Sequence, residues 1–557
     1  MYNLLIGGAA GEGIDTTTAI LEKLLKRSGY NVLTVRDFMS RVRGGHNFSL
    51  VRFGIEPVYS HSNKLDGIVA LDEKTIILHE GQLKENGFIL CDSNLPLLRT
   101  NIIQVEMDSM AKALKNSRVS GSIAIGAILK LFGETLDNVE VILPEFVKQQ
   151  YLDVNLEAVK EGYHSVEQRY PHLKGSYGEW LLISSSKAVA LGAMAAGLRF
   201  YSAYPMSPST TVIETIAANA DKAGVVVEQA EDEIAAINMA IGASYAGARS
   251  MTGTSGGGFS LMVEALGFSG MAEIPLVVID VQRPGPATGL PTRTEQSDLK
   301  FVISASQGEF PRMVVALRNA SDAFYQTQRA FYLAEKYQIP VILLSDQYIG
   351  DATSTVEVFN QEKIVEAALS GMVYSGEGKY ARYQYTESGI SPRLIPGKTA
   401  QVVVIDSDEH DEQGHITESA TVRVNMMDKR MKKMEGLKKE LQEPDFIGAD
   451  TFDTLLIGWG STWGPIKEAI QLLNKENPDR YAALVFGDIY PLPQQLLKEK
   501  STKACHIINV EQNATGQLSS LIREETGIVC EGSILKYDGR QISGEEIADR
   551  IQKGEMK

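Results

Sequence analysis

The sequence predicts an α/β protein of several domains, each built on a mainly parallel sheet covered by helices. Three observations carry this prediction. Short apolar runs of strand length alternate with helical stretches along most of the chain, and a glycine-rich turn joins the first strand to the first helix. The 557 residues, 44% hydrophobic and 22% charged, suffice for three or four separate cores.

In chain order, a short apolar strand ends at Ile6. Gly7-Gly8-Ala9-Ala10-Gly11-Glu12-Gly13 follows, then a helical pattern over 16–28 and a strand over 31–35, which is a βαβ opening. Further strand-like runs cover 48–53, 67–71, 88–91 and 102–105, and a charged helical stretch over 143–170 closes segment 1–175. Pro171-His172-Leu173-Lys174-Gly175-Ser176-Tyr177-Gly178 reads as a linker. Segment 176–350 repeats the alternation: helix 187–198, strand 200–203, helix 209–220, strand 225–227, helix 232–246, strand 276–281 and a last strand from Pro340. Its strands are short and uninterrupted, as strands buried on both faces are. Residues 351–450 are polar and weakly periodic apart from a basic helix over 426–441, and read as a connecting region. Segment 451–557, with strands over 454–459, 482–486 and 506–510, forms a small third α/β unit.

Bulk composition excludes several roles. A net charge of −16 and a pI near 5.2 repel phosphate backbones and anionic lipid, so neither nucleic acid nor a membrane surface is an expected partner. No apolar run approaches the roughly 20 residues of a membrane span. The N-terminus lacks a basic leader, so a cytoplasmic protein is expected. Cys91, Cys505 and Cys530 include no C-x-x-C pair and read as buried, reduced thiols. A cluster or zinc site needs several close thiolates, so any iron-sulfur cluster belongs to another chain.

Several motifs have both a chemical and a purely structural reading. The turn Gly8 to Gly13 has G-x-x-G-x-G spacing and reads first as a tight strand-to-helix turn, with nucleotide binding as the alternative. Arg41-Val42-Arg43-Gly44-Gly45-His46 sets three potential cations around a flexible pair, either a cradle for phosphates such as those of coenzyme A or a solvated loop. Glu228-Gln229-Ala230-Glu231-Asp232-Glu233 follows a strand and opens a helix, where the dipole alone favours acids. The Ala-rich helix after Glu233 packs closely enough to hold that carboxylate against a ligand. Thr254-Ser255-Gly256-Gly257-Gly258 lets a flat ring approach the backbone, and the loop from Gln282 to Thr292 carries Arg283, suited to a carboxylate. His410 and His415 read as loop histidines rather than metal ligands, and Gly487-Asp488-Ile489 as a chance likeness to a diphosphate motif.

Four of these features occur in one order and spacing: Tyr204-Pro205-Met206-Ser207-Pro208-Ser209-Thr210, the run from Glu231 to Ser244, the loop from Thr254 to Phe259, and the loop from Gln282 to Thr292. Together they resemble the 2-oxoacid:ferredoxin oxidoreductases. The amino-terminal segment, with Gly11-Glu12-Gly13 and Arg43-Gly44-Gly45, is similar to that family's gamma subunit and the remainder to its alpha subunit, a fused arrangement covering nearly the whole chain. The resemblance implies a gamma-type domain over 1–175, a thiamine pyrimidine-binding domain over 176–350 and a small transketolase C-terminal-like domain over 451–557. It implies oxidative decarboxylation of a 2-oxoacid with thiamine diphosphate, coenzyme A and ferredoxin. Glu233 matches the glutamate that contacts the aminopyrimidine, favouring the imino tautomer whose nitrogen removes the thiazolium proton. On this reading Glu231 and Asp232 are helix-terminal bystanders, and Thr254, Ser255, Gly256 and Gly257 line the pyrimidine pocket. Arg283 matches a carboxylate anchor, while Thr292, Ser207 and Tyr204 complete the substrate site, Ser207 standing where the family usually has threonine. The diphosphate site, Mg2+ and a 4Fe-4S cluster are expected on a beta subunit, giving an intersubunit active site in a heterodimer or a dimer of heterodimers. 2-Oxoglutarate is the expected substrate, with pyruvate and branched-chain acids as alternatives. A nucleotide-binding regulatory protein is the alternative of another class, and a self-sufficient decarboxylase or transketolase is disfavoured because the chain lacks a diphosphate motif.

Overall fold

The computed structural model describes residues 1–39, 45–95, 101–363, 374, 378–398 and 400–556. They form two compact units, one of 1–184 with 351–358 and one of 185–350 with 359–557.

The first unit is built on an eight-stranded sheet in the order Ile102–Val105, Leu83–Asp92, Leu65–Ala70, Tyr2–Ala9, His46–Gly54, Asn31–Asp37, Thr353–Val356, Leu181–Ser184. The sheet is mixed rather than mainly parallel. Tyr2–Ala9, Leu65–Ala70, Leu83–Asp92 and Ile102–Val105 run parallel, but His46–Gly54 lies antiparallel between Tyr2–Ala9 and Asn31–Asp37. The opening βαβ strands are therefore not neighbours. The reason is connection length: residues 38–45 are too few for the crossover a parallel pair needs, so the chain turns back. Thr353–Val356, which the sequence places in a connecting region, pairs antiparallel with both Asn31–Asp37 and Leu181–Ser184. The glycine turn leads into helix Ile14–Arg27, whose Leu21, Leu24 and Leu25 are buried, and Glu12 Oε2 accepts from Ala9 N–H at 2.9 Å.

The second unit holds a seven-stranded sheet in the order Asp488–Tyr490, Met313–Ala316, Pro340–Asp346, Leu276–Gln282, Ser250–Thr254, Phe200–Ala203, Val226–Gln229. Every pairing in it is parallel except that of Asp488–Tyr490. Strand Leu276–Gln282 is buried throughout, as a central strand covered on both faces must be. A five-stranded sheet follows in the order Asp445–Ile447, Tyr481–Phe486, Thr454–Trp459, His506–Glu511, Gly532–Leu535. The two sheets share one core, in which Leu276, Val278 and Ile342 meet Leu455, Ile457, Trp459 and Phe486.

Asp488 is a structural residue. Arg329 donates to its two oxygens at 2.6 and 2.8 Å, and Gln442 N–H donates at 2.7 Å. The basic helix spans Ala420–Leu437 and turns three of its cations inward: Lys429 pairs with fully buried Glu273 at 2.6 Å, Lys433 pairs with the same carboxylate, and Arg430 pairs with Glu409 at 2.8 Å. These two lysines hold the Glu273 carboxyl below the usual range against the opposing effect of burial. No helix of the described residues is long and apolar enough to cross a membrane.

Candidate active site

Strands Leu276–Gln282, Ser250–Thr254, Phe200–Ala203 and Val226–Gln229 are consecutive and parallel in the seven-stranded sheet, so their carboxyl ends lie along one edge. Each is followed by one of the four motifs: Arg283 to Thr292, Ser255 to Gly258, Tyr204 to Ser207, and Ala230 to Glu233. Open α/β sheets bind ligands at this edge because loops and helix starts converge there.

Glu233 is the first residue of helix Glu233–Tyr245. Asp232, expected to be a bystander, is the helix cap: its Oδ1 accepts from Ala235 N–H at 2.7 Å. The cap fixes the first turn and with it Glu233, which is 3% exposed and whose Oε1 has no hydrogen-bond partner. Burial pushes its carboxyl upward; hydrogen bonding from its own N–H opposes this and the Asp232 charge adds to it. A buried carboxyl oxygen without a partner is rare in folded proteins.

Thr254 ends its strand fully buried, and Ser255 occupies the cap position of helix Gly256–Met271 without capping it; its hydroxyl is buried and unpartnered. Gly256, Gly257 and Gly258 thus form the first helical turn rather than a loop. A Cβ on Gly258 would collide with Thr254 Oγ1 and Glu233 Oε1, so glycine is needed where this turn meets the carboxylate.

Arg283 Nη1 donates to the carbonyl of Ser207 at 2.6 Å, joining two of the predicted substrate residues through the backbone rather than through the Ser207 hydroxyl. Partial burial lowers the Arg283 pKa. Ser207 and Tyr204 are exposed and Thr292 is half-buried at the end of the Arg283 loop.

Arg41, Arg43 and Gly44 lie outside the described residues. Gly45 accepts from Ala10 N–H at 3.3 Å, which sets it beside the glycine turn. His46, expected among the cations of that cradle, is instead buried in a strand, its Nε2 2.9 Å from His79 Nε2. His79 Nδ1 lies 3.0 Å from Gln82 Oε1, and the buried His46 Nδ1 has no partner. Burial lowers the pKa of both imidazoles. In the second unit His410 is buried against the Tyr383 ring, His415 lies 3.6 Å from Asp411, and the described residues contain no group of three or more ligands able to hold a metal. All three cysteines are free, but only Cys91 is fully buried; Cys505 is exposed.

Two acids beside the glycine turn, fully buried Asp280 and half-buried Asp298, escape the sequence reading. The signal for Asp280 is a charge inside the apolar run Leu276 to Val281; nothing local marks Asp298.

Residues 191–429 match the family described as pyruvate flavodoxin/ferredoxin oxidoreductase, thiamine diphosphate-binding, and residues 3–165 match pyruvate ferredoxin/flavodoxin oxidoreductase. A 2-oxoacid:ferredoxin oxidoreductase subunit alpha from a Sulfolobus species is 35% identical over 99% of this chain and 96% of its own. The 2-oxoglutarate synthase subunit KorA of Methanocaldococcus jannaschii is 32% identical over 58% of this chain and 86% of its own. The structure of 2-oxoglutarate:ferredoxin oxidoreductase from Magnetococcus marinus, with 2-oxoglutarate, coenzyme A and succinyl-CoA bound, superposes with a TM-score of 0.93 at 31% identity, covering 99% of each chain. With the four motifs on one sheet edge, this likeness from end to end means that the chain belongs to the 2-oxoacid:ferredoxin oxidoreductases, as an alpha-type subunit with a fused gamma-type segment.

Proposed function

We propose that this chain holds the pyrimidine of thiamine diphosphate and the substrate in an enzyme that converts 2-oxoglutarate and coenzyme A to succinyl-CoA, CO2 and reduced ferredoxin. The observation that carries this is the unpartnered, buried Glu233 Oε1 facing the glycine turn, at a strand-end edge that also carries Arg283. The donor set fits the cofactor: a carboxyl held ready for a ring nitrogen, and a backbone turn bare enough for a flat ring. Thiamine diphosphate supplies the electron sink that decarboxylation of a 2-oxoacid requires. Glu233 offers its carboxyl to the pyrimidine and fixes the ring's tautomer. Thr254, Ser255, Gly256 and Gly257 line the ring's pocket, and Arg283 binds the carboxylate of the 2-oxoacid with Ser207, Thr292 and Tyr204 around it.

In this reading 1–175 is the gamma-type domain, 176–350 the pyrimidine-binding domain, 351–450 a connecting region and 451–557 the small C-terminal domain. A beta subunit supplies the diphosphate site, Mg2+ and the 4Fe-4S cluster, since three scattered cysteines cannot ligate a cluster. The surface of the pyrimidine region supports such a partner: Ile234 and Leu261 are each 50% exposed, and Met239, Leu290 and Tyr204 add to the apolar area that a second chain would cover. For coenzyme A, the first unit offers a cleft of about 780 Å3 lined by Lys115, Arg118 and Lys148 and by the starts of helices Ile14–Arg27 and Ser120–Leu131. Arg41, Arg43, Gly44 and Gly45 are the further candidate phosphate contacts. 2-Oxoglutarate is preferred because similar proteins carry it in their names. The assembly is expected in the cytoplasm.

The test is viologen reduction by this chain, alone and with its candidate beta partner, given thiamine diphosphate, Mg2+, coenzyme A and a panel of 2-oxoacids. Activity only in the pair, greatest with 2-oxoglutarate, is the expected result. A stable cofactor-loaded pair inactive with every acid would return the chain to a regulatory, nucleotide-binding role.

A further inference from the structure

Two carboxyls beside the Ser255 turn, fully buried Asp280 and half-buried Asp298, have no part in the chemistry described so far. Alternate side chains of strand Leu276–Gln282 share a face, so Asp280 and Gln282 continue the face of Leu276 and Val278, which belong to the core containing Phe259 and Leu299. Asp280 is fully buried, neither of its carboxyl oxygens has a hydrogen-bond partner, and it pairs in register with Thr254. Asp298 precedes helix Leu299–Ile303 and is held by its own N–H, which donates to Gln282 Oε1 at 3.0 Å. Its unpartnered Oδ2 lies against Gly256, where a Cβ would strike it. Both acids therefore border the turn that shapes the Glu233 pocket.

The neighbouring groups whose titration is raised are all acids. Burial pushes Asp298 up to about 6, and Asp280 is raised by burial and by the Asp298 charge. Glu295 is pushed up to about 7 by burial and by Asp298 and Asp538, and Asp346, opposite Gln282 on the next strand, is pushed up to about 6 by burial. Among the described residues neither Asp280 oxygen nor Asp298 Oδ2 has a hydrogen-bond partner. Two charges here would each be desolvated and would repel one another. One charge on Asp298 meets the start of the 16-residue helix Gly256–Met271, which has no side-chain cap and whose dipole favours an anion.

We propose that Asp280 and Asp298 act as a unit carrying one proton and one negative charge, the proton on Asp280 and the charge on Asp298. This unit positions the Thr254–Gly258 turn for the thiamine pyrimidine. The positioning role rests on the cofactor reading above; the protonation does not. Deprotonating Asp280 places a second charge behind the turn and works against its bound geometry. Asn at 280 imitates the neutral acid in size and has no proton to lose.

Two measurements test this. The full chain with its candidate beta partner is titrated with thiamine diphosphate and Mg2+ by tryptophan fluorescence from about pH 5 to about pH 9, and the full chain alone is melted over the same range, for wild type, Asp280→Asn and Asp298→Asn. A folded-state acid with a raised pKa gives stability that declines as pH rises until the folded pair has itself titrated. The wild type is expected to melt lower as pH rises, and its affinity to fall by up to about tenfold per pH unit where the proton is lost. Asp280→Asn makes both slopes shallower, leaving the share of Asp298, Glu295 and Asp346, and Asp298→Asn weakens binding about tenfold near neutral pH, since the charge at the helix start is gone. Melting slopes in Asp280→Asn equal to those of the wild type would overturn the protonated pair. Equal, pH-independent binding by all three proteins would overturn the positioning role. A wild-type pair that binds no thiamine diphosphate would overturn the cofactor reading and the positioning with it, and the melting slopes would still decide the proton.

Discussion

Replacing Glu233 with alanine should separate activity from stability in one protein. The side chain is 3% exposed and its Oε1 is orphaned, so the fold bears a desolvation penalty of about 1–3 kcal/mol for holding it. Alanine removes that penalty together with one buried methylene, Cγ, worth about 0.8 kcal/mol. The two effects oppose each other and leave a net change of no more than about 2 kcal/mol. The melting temperature of the full chain should therefore stay within a few degrees of wild type, since a change of about 1 kcal/mol moves a large domain only about 2–4 °C. Catalysis should not survive in the same way. If Glu233 controls proton placement on the cofactor, its loss is worth about 100-fold to 10,000-fold in rate, or about 2.7–5.5 kcal/mol. The assay is viologen reduction by the chain with its beta partner at saturating cofactor, paired with a thermal melt of the chain alone. Activity within tenfold of wild type would refute the assigned role. A large drop in melting temperature would refute the claim that the carboxyl is a burden on the fold.

Three further outcomes are expected. Arg283→Ala removes a charge-assisted contact worth about 1.5–3 kcal/mol, so the KM for the 2-oxoacid should rise about tenfold to 100-fold; an unchanged KM in steady-state kinetics would place the carboxylate elsewhere. Gly258→Ala would gain about 1 kcal/mol from helix propensity alone, but collision with Thr254 Oγ1 and Glu233 Oε1 should reverse the sign to a net loss of about 1–3 kcal/mol by thermal melt, with weaker thiamine diphosphate binding by titration calorimetry. His46 and His79 have depressed folded pKa values, so below their ordinary value of 6.5 the unfolded chain takes up protons that the folded one refuses; the hydrogen-exchange protection factors of strand His46–Gly54, corrected for the intrinsic rate, should fall as pH drops below 6.5, and less so in His79→Gln.

The gathering of the four motifs at one sheet edge was legible because it depends on residue types at fixed spacing. Glu233 at a helix start, the glycines after Ser255, and Arg283 in a Pro/Gly loop each follow a strand, and parallel strands alternating with helices bring such segments to one edge. Sequence alone could not supply the strand order. His46–Gly54 reads as another strand of a parallel sheet, and only the brevity of residues 38–45 forces it antiparallel. Thr353–Val356 is four residues of weak pattern, yet it completes the first sheet.

Helix Ala420–Leu437 shows the same limit for charge. Its lysines look like a solvated face, but Lys429 and Lys433 close on Glu273, far away in sequence. The sequence by itself determined which segments alternate as strand and helix and which polar and glycine-rich motifs follow the strands. Only the tertiary structure decided which polar groups are left without partners. Glu233, Asp280 and Asp298 owe their states to what packs around them, and burial depends on contacts between distant segments that no local pattern encodes.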